Sequence, residues 1–265
     1  MKPVPVVMIH GAFCGSWAFE QWRALFSAHE FDVHAPSLRH HSPNDRARGD
    51  LGETSMRHYA ADLDNLLDRI GGWPVLVGHS LGGLLAQMLA ARRRVRALVL
   101  LAPSAPWGML PSTAFELFSA QALYLEGPIW RKALAPKRWI AVANALDRLP
   151  PLERDAVFAR FVPESGLAMF ETMHWMLDST RATWVAAREV VCPILCVTGS
   201  RDRISPPATV RRIARRYGGR ARFEMVPEFS HWLLGEPGWE KIAAGTLGWL
   251  DQILGRDAAR QSNRA

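Results

Sequence analysis

Short apolar runs alternate with longer stretches of helical periodicity along most of the chain. The runs predicted as strands are residues 6–9, 32–35, 75–77, 97–102, 193–198 and 221–226. Between them, apolar residues recur every three or four positions over residues 17–29 and 54–70, and a last helix is predicted over residues 239–254. Because apolar strands alternating with helices are typical of a parallel sheet covered on both faces, the pattern predicts an α/β fold.

The alternation stops between Pro103 and Glu189, where helical patterns continue without a strand pattern. This stretch is rich in bulky apolar residues, namely Trp107, Phe115, Phe118, Tyr124, Trp130, Trp139, Phe158, Phe161, Met169, Phe170, Trp175 and Met176. Because it leaves and re-enters the same predicted sheet, we expect residues 104–189 to form a helical cap over the strand ends, where ligands bind in open α/β sheets. The core domain then comprises residues 1–103 and 190–265. Most of the aromatic residues are expected to form the cap's own core, and a minority to line a pocket.

Composition and charge limit the classes of function. The chain has 265 residues, 49% of them hydrophobic, which fits one large domain with an inserted cap. Its net charge of +7 comes mostly from arginine, with dense runs in residues 92–94 and 211–216. Because these runs occupy helical positions without interleaved aromatic residues, we interpret them as solvated helix faces and expect no nucleic-acid partner.

The termini and the hydropathy pattern bear on location. No apolar run approaches the ~20 residues needed to span a bilayer, so we expect no membrane partner. Residues 1–9 are short for a signal peptide and have no small-residue cleavage site, so we read them as the first strand and expect a cytoplasmic protein. The polar tail after Gly255 is predicted to fray. We expect a monomer or a homodimer.

The chain has no clear metal or disulfide pattern. Its three cysteines are Cys14, Cys192 and Cys196. An odd, small number of cysteines gives neither a disulfide framework nor a metal-type pairing. His40, His41 and Asp45 share a polar loop, but adjacent histidines on one loop rarely face one ion, and a fourth ligand is not suitably spaced. We therefore expect no metal and no cofactor, and read the loop as solvated, with Arg39 or His40 hypothesised to contact the mouth of a site.

A glycine-flanked serine is the strongest chemical signal. The pentad Gly78-His79-Ser80-Leu81-Gly82 lies between the apolar run 75–77 and a helical pattern that begins at Gly83. Strand, pentad and helix in this order form a nucleophile elbow, in which a serine on a strained turn requires nearly side-chain-free neighbours two residues away. The turn lifts the hydroxyl above the sheet edge and places the first helical N–H groups beneath it. Ser80 is therefore the candidate nucleophile, and the alternative is an ordinary glycine-rich loop.

A serine nucleophile needs a base within hydrogen-bond reach and a third group that orients the base. His231 follows the last predicted strand, and Asp202 follows the strand before it, so both reach the same sheet edge as Ser80. The chain order Ser80, Asp202, His231 is the order Ser…Asp…His of one class of serine hydrolase. The alternatives are a structural loop histidine and, for Asp202, a helix cap or a carboxylate paired with Arg201 or Arg203.

Two backbone N–H groups are needed to stabilise the negative charge that develops in acyl transfer. The candidates are Leu81, directly after the serine, and Ala12, in the loop after the first strand, where Gly11 lets the backbone approach the serine. We expect His10 to buttress this loop by hydrogen bonding, and His79 to flank the serine rather than face it. The candidate substrate contacts are Phe13, Trp107 and Trp232.

These motifs together resemble the α/β-hydrolase superfamily. They are Ile9-His10-Gly11-Ala12, Gly78-His79-Ser80-Leu81-Gly82-Gly83, Gly199-Ser200-Arg201-Asp202 and Ser230-His231-Trp232. The first loop is also similar to that of small plant-type methylesterases and their hydroxynitrile lyase relatives. Those lyases typically carry a threonine in the oxyanion loop and a lysine after the catalytic histidine, whereas Gly11 and Trp232 stand there in this chain. Ser80 also differs from the elbow aspartate of dehalogenases and many epoxide hydrolases, so the resemblance is to the esterase branch.

The resemblance implies the α/β-hydrolase fold and a serine hydrolase mechanism without a cofactor. The sequence has no pattern for the extra antiparallel strands that open many members of the superfamily. The expected substrate is a small to medium carboxylic ester, with an apolar acyl or alcohol group because the predicted cap is apolar. C–C bond hydrolases and perhydrolases would use the same residues, and a non-catalytic ligand-binding member of the fold is the remaining alternative.

Overall fold

The sheet follows the alternating pattern of the sequence. The computed structural model describes residues 3–42, 45, 50–122 and 127–255. Tyr124, part of the predicted polar loop and the predicted frayed tail lie outside these residues. The strands are β1 (Val4–Ile9), β2 (Phe31–His34), β3 (Val75–His79), β4 (Ala97–Leu101), β5 (Ala133–Leu134), β6 (Glu164–Ser165), β7 (Ile194–Gly199) and β8 (Ala221–Val226). Six of them form one parallel sheet in the order β2-β1-β3-β4-β7-β8.

Helices cover both faces of this sheet. The helices in the described part of the chain are α1 (Glu20–Ala28), α2 (Met56–Ile70), α3 (Leu81–Ala90), α4 (Ala114–Ala122), α5 (Arg138–Asn144), α6 (Pro151–Ala159), α7 (Gly166–Met173), α8 (Pro207–Arg216) and α9 (Trp239–Leu254). Val7 and Ile9 of β1 join a buried cluster with α2, α3 and α8, whereas Val6 and Met8 join a second cluster with α1 and α9. Because successive strand residues point to opposite faces, both faces are buried, and the predicted α/β architecture is confirmed.

Most predicted element boundaries agree with the structure to within a few residues. The first predicted helix, however, begins as a 3₁₀ turn at Ser16–Phe19 before α1 starts. Helix α2 begins after Ser55, whose hydroxyl accepts from the Arg57 N–H at 3.1 Å. It ends at Gly71, which has a φ of 72°. Polar side chains and a glycine therefore define the ends of α2, as expected for helix caps.

Residues 102–193 connect β4 to β7, and we call this segment the insert. The expectation that it contains no strand is wrong, because Ala133 and Leu134 pair antiparallel with Ser165 and Glu164. Two-residue strands are too short to show a repeating apolar pattern, so periodicity could not reveal them. The division of the chain into a core and a cap at residues 104–189 stays a prediction. None of the helices in the described part of the chain is long and apolar enough to cross a lipid bilayer.

Arginines at the surface of the helices and just after them also connect neighbouring elements. Arg93 donates from Nε to Asp64 of α2 at 3.0 Å. On α8, Arg212 donates to the Leu110 carbonyl at 2.8 Å and Arg216 to the Val185 carbonyl at 3.0 Å. Arg93 also donates to the Asp68 carboxylate of α2 at 3.1 Å. The Leu110 and Val185 carbonyl groups belong to the two ends of the insert.

Two glycines with open space around them should respond oppositely to alanine. Gly245 lies within α9, and a Cβ there would meet nothing within 4 Å, whereas Gly71 is equally open but has a φ of 72°. We expect Gly245→Ala to raise the free energy of unfolding by about 0.5–1 kcal/mol through helix propensity. Gly71→Ala should lower it by about 1–3 kcal/mol through backbone strain. Urea denaturation of both variants checks the pair, and equal effects would contradict it.

Candidate active site

Ser80 stands between β3 and α3 in a conformation that few residues adopt. Its φ of 53° and ψ of −120° lie outside the common regions for a side-chain-bearing residue. The Ser80 N–H donates to the Leu101 carbonyl at 3.0 Å, and the Ser80 carbonyl accepts from the Ser104 N–H at 3.0 Å. The N–H and the carbonyl of Ser80 are thus both bonded, one to β4 and the other to the segment directly after it. The fold therefore maintains the strained conformation.

Glycine is required on both sides of the serine. A Cβ on Gly78 would lie 2.3 Å from the Gly82 carbonyl oxygen, and a Cβ on Gly82 would lie 2.1 Å from the Ile9 carbonyl oxygen. Both distances are far below van der Waals contact, and in both cases the obstacle is backbone. The steric reason for the pentad that the sequence predicted is therefore present at both positions.

The structure brings Ser80, His231 and Asp202 into one hydrogen-bonded row. The His231 Nε2 lies 3.0 Å from the Ser80 Oγ, and the His231 Nδ1 lies 2.9 Å from Asp202 Oδ2. All three residues are buried, with 8%, 5% and 4% exposure for Ser80, His231 and Asp202. With a proton on Nδ1 directed at the carboxylate, Nε2 is left as an acceptor for the serine hydroxyl.

Backbone groups orient the carboxylate of Asp202. Its Oδ1 accepts from the Ile204 and Ser205 N–H groups, each at 2.8 Å. These bonds occupy one carboxylate oxygen and leave Oδ2 for His231. The alternative that Asp202 pairs with Arg201 is wrong, because Arg201 pairs with Glu228.

The loop that carries His231 is fixed by two buried side chains. His79 donates from Nε2 to the His231 carbonyl at 2.9 Å, so His79 flanks the site as predicted. Glu236, which is 1% exposed, accepts from the Ser230 N–H at 2.9 Å, the Ser230 hydroxyl at 2.7 Å and the Trp232 N–H at 3.0 Å. Burial raises the pKa of the Glu236 carboxyl. The residues before and after His231 are therefore held by one carboxylate.

Glu236 was missed by the sequence reasoning. The available signal was a single acidic residue directly after the apolar run Trp232-Leu233-Leu234 and Gly235. An acidic residue in such surroundings is often buried and paired, but the run gives no indication of its partners.

The loop after β1 lies directly against the serine. A Cβ on Gly11 would be 3.0 Å from the Ser80 Cβ. His10 is fully buried, and its Nε2 accepts from the Leu38 N–H at 3.0 Å while its Nδ1 donates to the Gly11 carbonyl at 2.8 Å. Burial, together with the nearby His41, lowers the pKa of His10 to about 3, so the ring is neutral. The hypothesis that His10 buttresses the loop is confirmed.

Phe13 is held from both sides by the insert. Its N–H donates to Glu164 Oε2 at 3.3 Å, and its carbonyl accepts from the Val162 N–H at 2.9 Å. Its φ of 63° is uncommon for a bulky residue. Because the Phe13 N–H is engaged with Glu164, Ala12 is the loop residue whose N–H we continue to assign to an oxyanion, opposite Leu81 at the start of α3.

Glu164 is a buried carboxylate that the sequence reasoning also missed. Besides Phe13, it accepts from His41 Nε2 at 3.1 Å, the Tyr59 hydroxyl at 2.7 Å and the Ser165 N–H at 2.7 Å. Burial alone would raise the pKa of Glu164, but His41 and the hydrogen-bond donors hold it below its usual value. Burial and the adjacent carboxylate raise the pKa of Tyr59, which keeps its hydroxyl a donor.

The two tryptophans predicted to contact substrate lie in different aromatic clusters. Trp232 is 4% exposed, and its ring centroid lies 5.8 Å from Trp17, 5.8 Å from His79 and 6.3 Å from Phe161. Trp107 packs 5.1 Å from Trp175 and 5.6 Å from Trp184, and Arg181 lies over its ring at 4.8 Å. Trp107 also donates from Nε1 to the Asp178 carbonyl at 3.4 Å. The role of both tryptophans toward substrate stays a prediction.

Other side chains considered from the sequence have different partners. Arg39 pairs with Asp62 of α2 rather than with a site residue, and His41 turns inward to Glu164. Asp45 accepts from the Ser42 N–H at 3.0 Å. Among residues 3–42, 45, 50–122 and 127–255, no group of three or more histidine, cysteine or acidic side chains is arranged to hold a metal ion. Burial raises the pKa of the Cys14 thiol, which opposes its use as a nucleophile.

The fold and these motifs agree with one family. A model of the alpha/beta hydrolase family matches residues 6–244, which is most of the chain. The chain belongs to the α/β hydrolase family. The family predicted from the sequence motifs is therefore confirmed.

This α/β hydrolase is similar to proteins described as hydrolases or esterases. A pyrethroid hydrolase from Sphingobium wenxiniae is 36% identical over 90 residues, a stretch that covers 34% of this chain and 31% of that protein. An esterase from Thermogutta terrifontis has a similar structure, with a TM-score of 0.69 and 24% identity over 95% of this chain and 91% of its own. A methylesterase from Arabidopsis gives a TM-score of 0.70 and 13% identity over 94% of this chain and 99% of its own. The two structural likenesses show a shared fold.

Two buried histidines should make the α/β hydrolase sensitive to mild acid. Burial lowers the pKa of both His10 and His79 to about 3, whereas in the unfolded chain each titrates near 6.5. The unfolded state therefore binds more protons below about pH 6.5, and stability falls as the pH falls toward 3, by up to about 1.4 kcal/mol per pH unit for each histidine. The free energy of unfolding is measured by urea denaturation at several pH values between 6 and 5. Its slope against pH should be shallower in His10→Asn than in the wild type. An unchanged slope would show that His10 does not contribute.

The Glu236 carboxylate should contribute to stability as the acceptor of the His231 loop. Glu236→Gln replaces one acceptor oxygen by an amide NH₂ that faces an N–H or O–H donor. We expect a loss of about 1–3 kcal/mol in the free energy of unfolding at pH 7, measured by urea denaturation. Glu240→Gln on the exposed first turn of α9 is the matched control and should change stability by less than about 1 kcal/mol. Similar losses in both variants would contradict the role assigned to Glu236.

Proposed function

We propose that this α/β hydrolase cleaves small to medium carboxylic esters through an acyl-enzyme intermediate. The observation that carries the proposal is the row Ser80–His231–Asp202, with separations of 3.0 and 2.9 Å between the interacting atoms. The relatives named as an esterase, a methylesterase and a pyrethroid hydrolase support hydrolysis as the class of reaction.

In the first half-reaction the Ser80 hydroxyl attacks the ester carbonyl while His231 Nε2 takes its proton. Asp202 stabilises the resulting imidazolium and keeps Nδ1 protonated. The π bond of the ester carbonyl opens and its oxygen becomes an oxyanion, which accepts from the Ala12 and Leu81 N–H groups. When the tetrahedral intermediate collapses, the C–O bond to the alcohol breaks, and His231 delivers the proton to the departing oxygen. Ser80 then carries the acyl group.

In the second half-reaction water takes the place of the alcohol. His231 removes a proton from the water as it attacks the acyl carbonyl, and the same two N–H groups hold the new oxyanion. Collapse returns the proton to Ser80 and releases the carboxylic acid. The elbow supports both steps, because Leu81 begins α3 and the partial positive charge of a helix N-terminus favours negative charge there.

The composition of the insert supports an apolar acyl or alcohol group. Many of its large side chains are apolar, and Trp107, Trp175 and Trp184 pack together in it. Phe13 borders the loop that we assign to the oxyanion and is half-buried. Such surroundings favour apolar groups over charged ones because burying an unpaired charge is costly.

The proposal predicts serine-dependent turnover of p-nitrophenyl esters from acetate to palmitate. Ser80→Ala and His231→Ala should each lower kcat by at least about 10⁴-fold, and Asp202→Asn by about 10³- to 10⁴-fold, because each change breaks the proton path. Rates are measured by release of p-nitrophenol, corrected for uncatalysed hydrolysis. The chain-length optimum would also measure the size of the acyl site.

Cys14→Ala is the control variant for this experiment. Its buried thiol lies close to the site in sequence but has no role in the proposed steps, so kcat should remain within about threefold of wild type. Covalent labelling by a fluorophosphonate should disappear in Ser80→Ala. Turnover that survives in Ser80→Ala would refute the assignment, and a folded wild type with neither turnover nor labelling would favour a ligand-binding member of the fold.

A further inference from the structure

Glu164 links the insert to the loop that we assign to oxyanion stabilisation. It lies in β6, 151 residues after Phe13 in the sequence, and is fully buried. Its Oε2 accepts from the Phe13 N–H and from His41, and its Oε1 accepts from the Tyr59 hydroxyl and the Ser165 N–H. Both oxygens are thus fixed by donors from the loop after β1, the loop after β2, helix α2 and the insert itself.

The Phe13 peptides need such support. A bulky residue with a φ of 63° costs free energy relative to the extended or helical regions, so the loop would relax if nothing held it. The insert holds it from two sides, through the Glu164 carboxylate on the N–H and the Val162 N–H on the carbonyl. Ala12 precedes Phe13, and the peptide between them carries the N–H that Glu164 binds. Holding this peptide fixes the Ala12 carbonyl and restricts rotation at Ala12, whose own N–H belongs to the preceding peptide, where the Gly11 carbonyl accepts from His10 Nδ1.

We propose that Glu164 is a positioning residue for the oxyanion-stabilising loop, in that its carboxylate fixes the Phe13 N–H and thereby keeps the Ala12 N–H directed at the oxyanion. The proposal rests on the proposed function. Glu164 does not touch the reacting atoms. Its effect is on the stability of the transition state, where the oxyanion is fully developed, and much less on the binding of the neutral ester.

A second buried carboxylate of the insert provides a matched control. Glu171 of α7 is 5% exposed and accepts from the Ser55 hydroxyl at 2.7 Å and the Met56 N–H at 2.8 Å, at the start of α2. It therefore also connects the insert to the core through hydrogen bonds, but these bonds are made at the start of α2 and not at the loop after β1. Truncation of either residue removes a buried acceptor, whereas only Glu164 is bonded to Phe13.

The test compares Glu164→Ala with Glu171→Ala on the best p-nitrophenyl ester of the wild type. We expect Glu164→Ala to lower kcat by about 10- to 100-fold with KM within about threefold, less than the 10²- to 10³-fold typical of deleting an oxyanion donor, because the Ala12 N–H is displaced and not removed. Glu171→Ala should keep kcat within about threefold. A kcat for Glu164→Ala within twofold of that for Glu171→Ala would overturn the proposal.

A trifluoromethyl ketone inhibitor gives a readout that a general loss of stability would not change. Attack by Ser80 on this ketone forms a C–O bond as the Ser80 proton moves to His231 Nε2. The C=O π bond opens, and the ketone oxygen becomes an oxyanion that needs the same two donors as the ester intermediate. Its Ki should rise in Glu164→Ala by the factor by which kcat/KM falls, and should stay within threefold in Glu171→Ala. A Ki for Glu164→Ala equal to that for Glu171→Ala would overturn the proposal.

Folding and the proposed function are checked separately. Folding of Glu164→Ala is checked by its circular dichroism spectrum at 25 °C. If that spectrum differs from the wild type, Glu164→Gln is compared with Glu171→Gln instead. A kcat at least fivefold lower in Glu164→Gln supports the proposal, and a kcat within twofold of that for Glu171→Gln overturns it. If the wild type labels at Ser80 but cleaves no ester, the proposed function fails. The rate constant for fluorophosphonate labelling of Ser80 then replaces kcat, since phosphonylation also places negative charge on oxygen, and equal rates in the two alanine variants overturn the role of Glu164.

Discussion

The first turn of α3 packs against the end of β1 with no space for a side chain between them. Gly82 makes this contact at the Ile9 carbonyl, and β1 and β3 are in register at Ile9 and Gly78. Because the strands are adjacent and parallel, the loop after β1 is held beside Ser80, and the start of α3 lies beneath it. The strained serine, the neighbouring N–H groups and the approach of His231 all depend on this backbone contact.

The features that could be predicted from sequence are those with local causes. Apolar runs identified the sheet strands, and the steric need for glycine beside a strained serine identified the elbow at Ser80. Asp202 and His231 could be selected because the carboxyl ends of parallel strands meet at one edge, which restricts the candidates to residues directly after a strand. The structure places the side chains of Ser80, His231 and Asp202 within hydrogen-bonding distance in this order, as the position of each after a strand requires.

The features that could not be predicted depend on contacts between distant parts of the chain. Glu164 and Phe13 are 151 residues apart, and Tyr59 lies in a helix whose apolar pattern explains its burial but not its hydroxyl. Arg212 donates to the backbone carbonyl of Leu110 in the insert. Because every residue has a backbone carbonyl, the sequence does not indicate which residue accepts from Arg212. A polar side chain reveals in sequence that it needs partners when buried, but not which ones.

The contacts of Glu164 have a consequence for how this α/β hydrolase can be altered. The segment between β4 and β7 can be exchanged between homologues as one continuous piece of chain. Here the segment contributes an acceptor that belongs to the core, and its donors His41 and Tyr59 remain behind. A chimera that brings in a foreign segment would inherit a buried histidine and hydroxyl without their carboxylate. In this protein a transferable unit must therefore include those two residues as well as the segment.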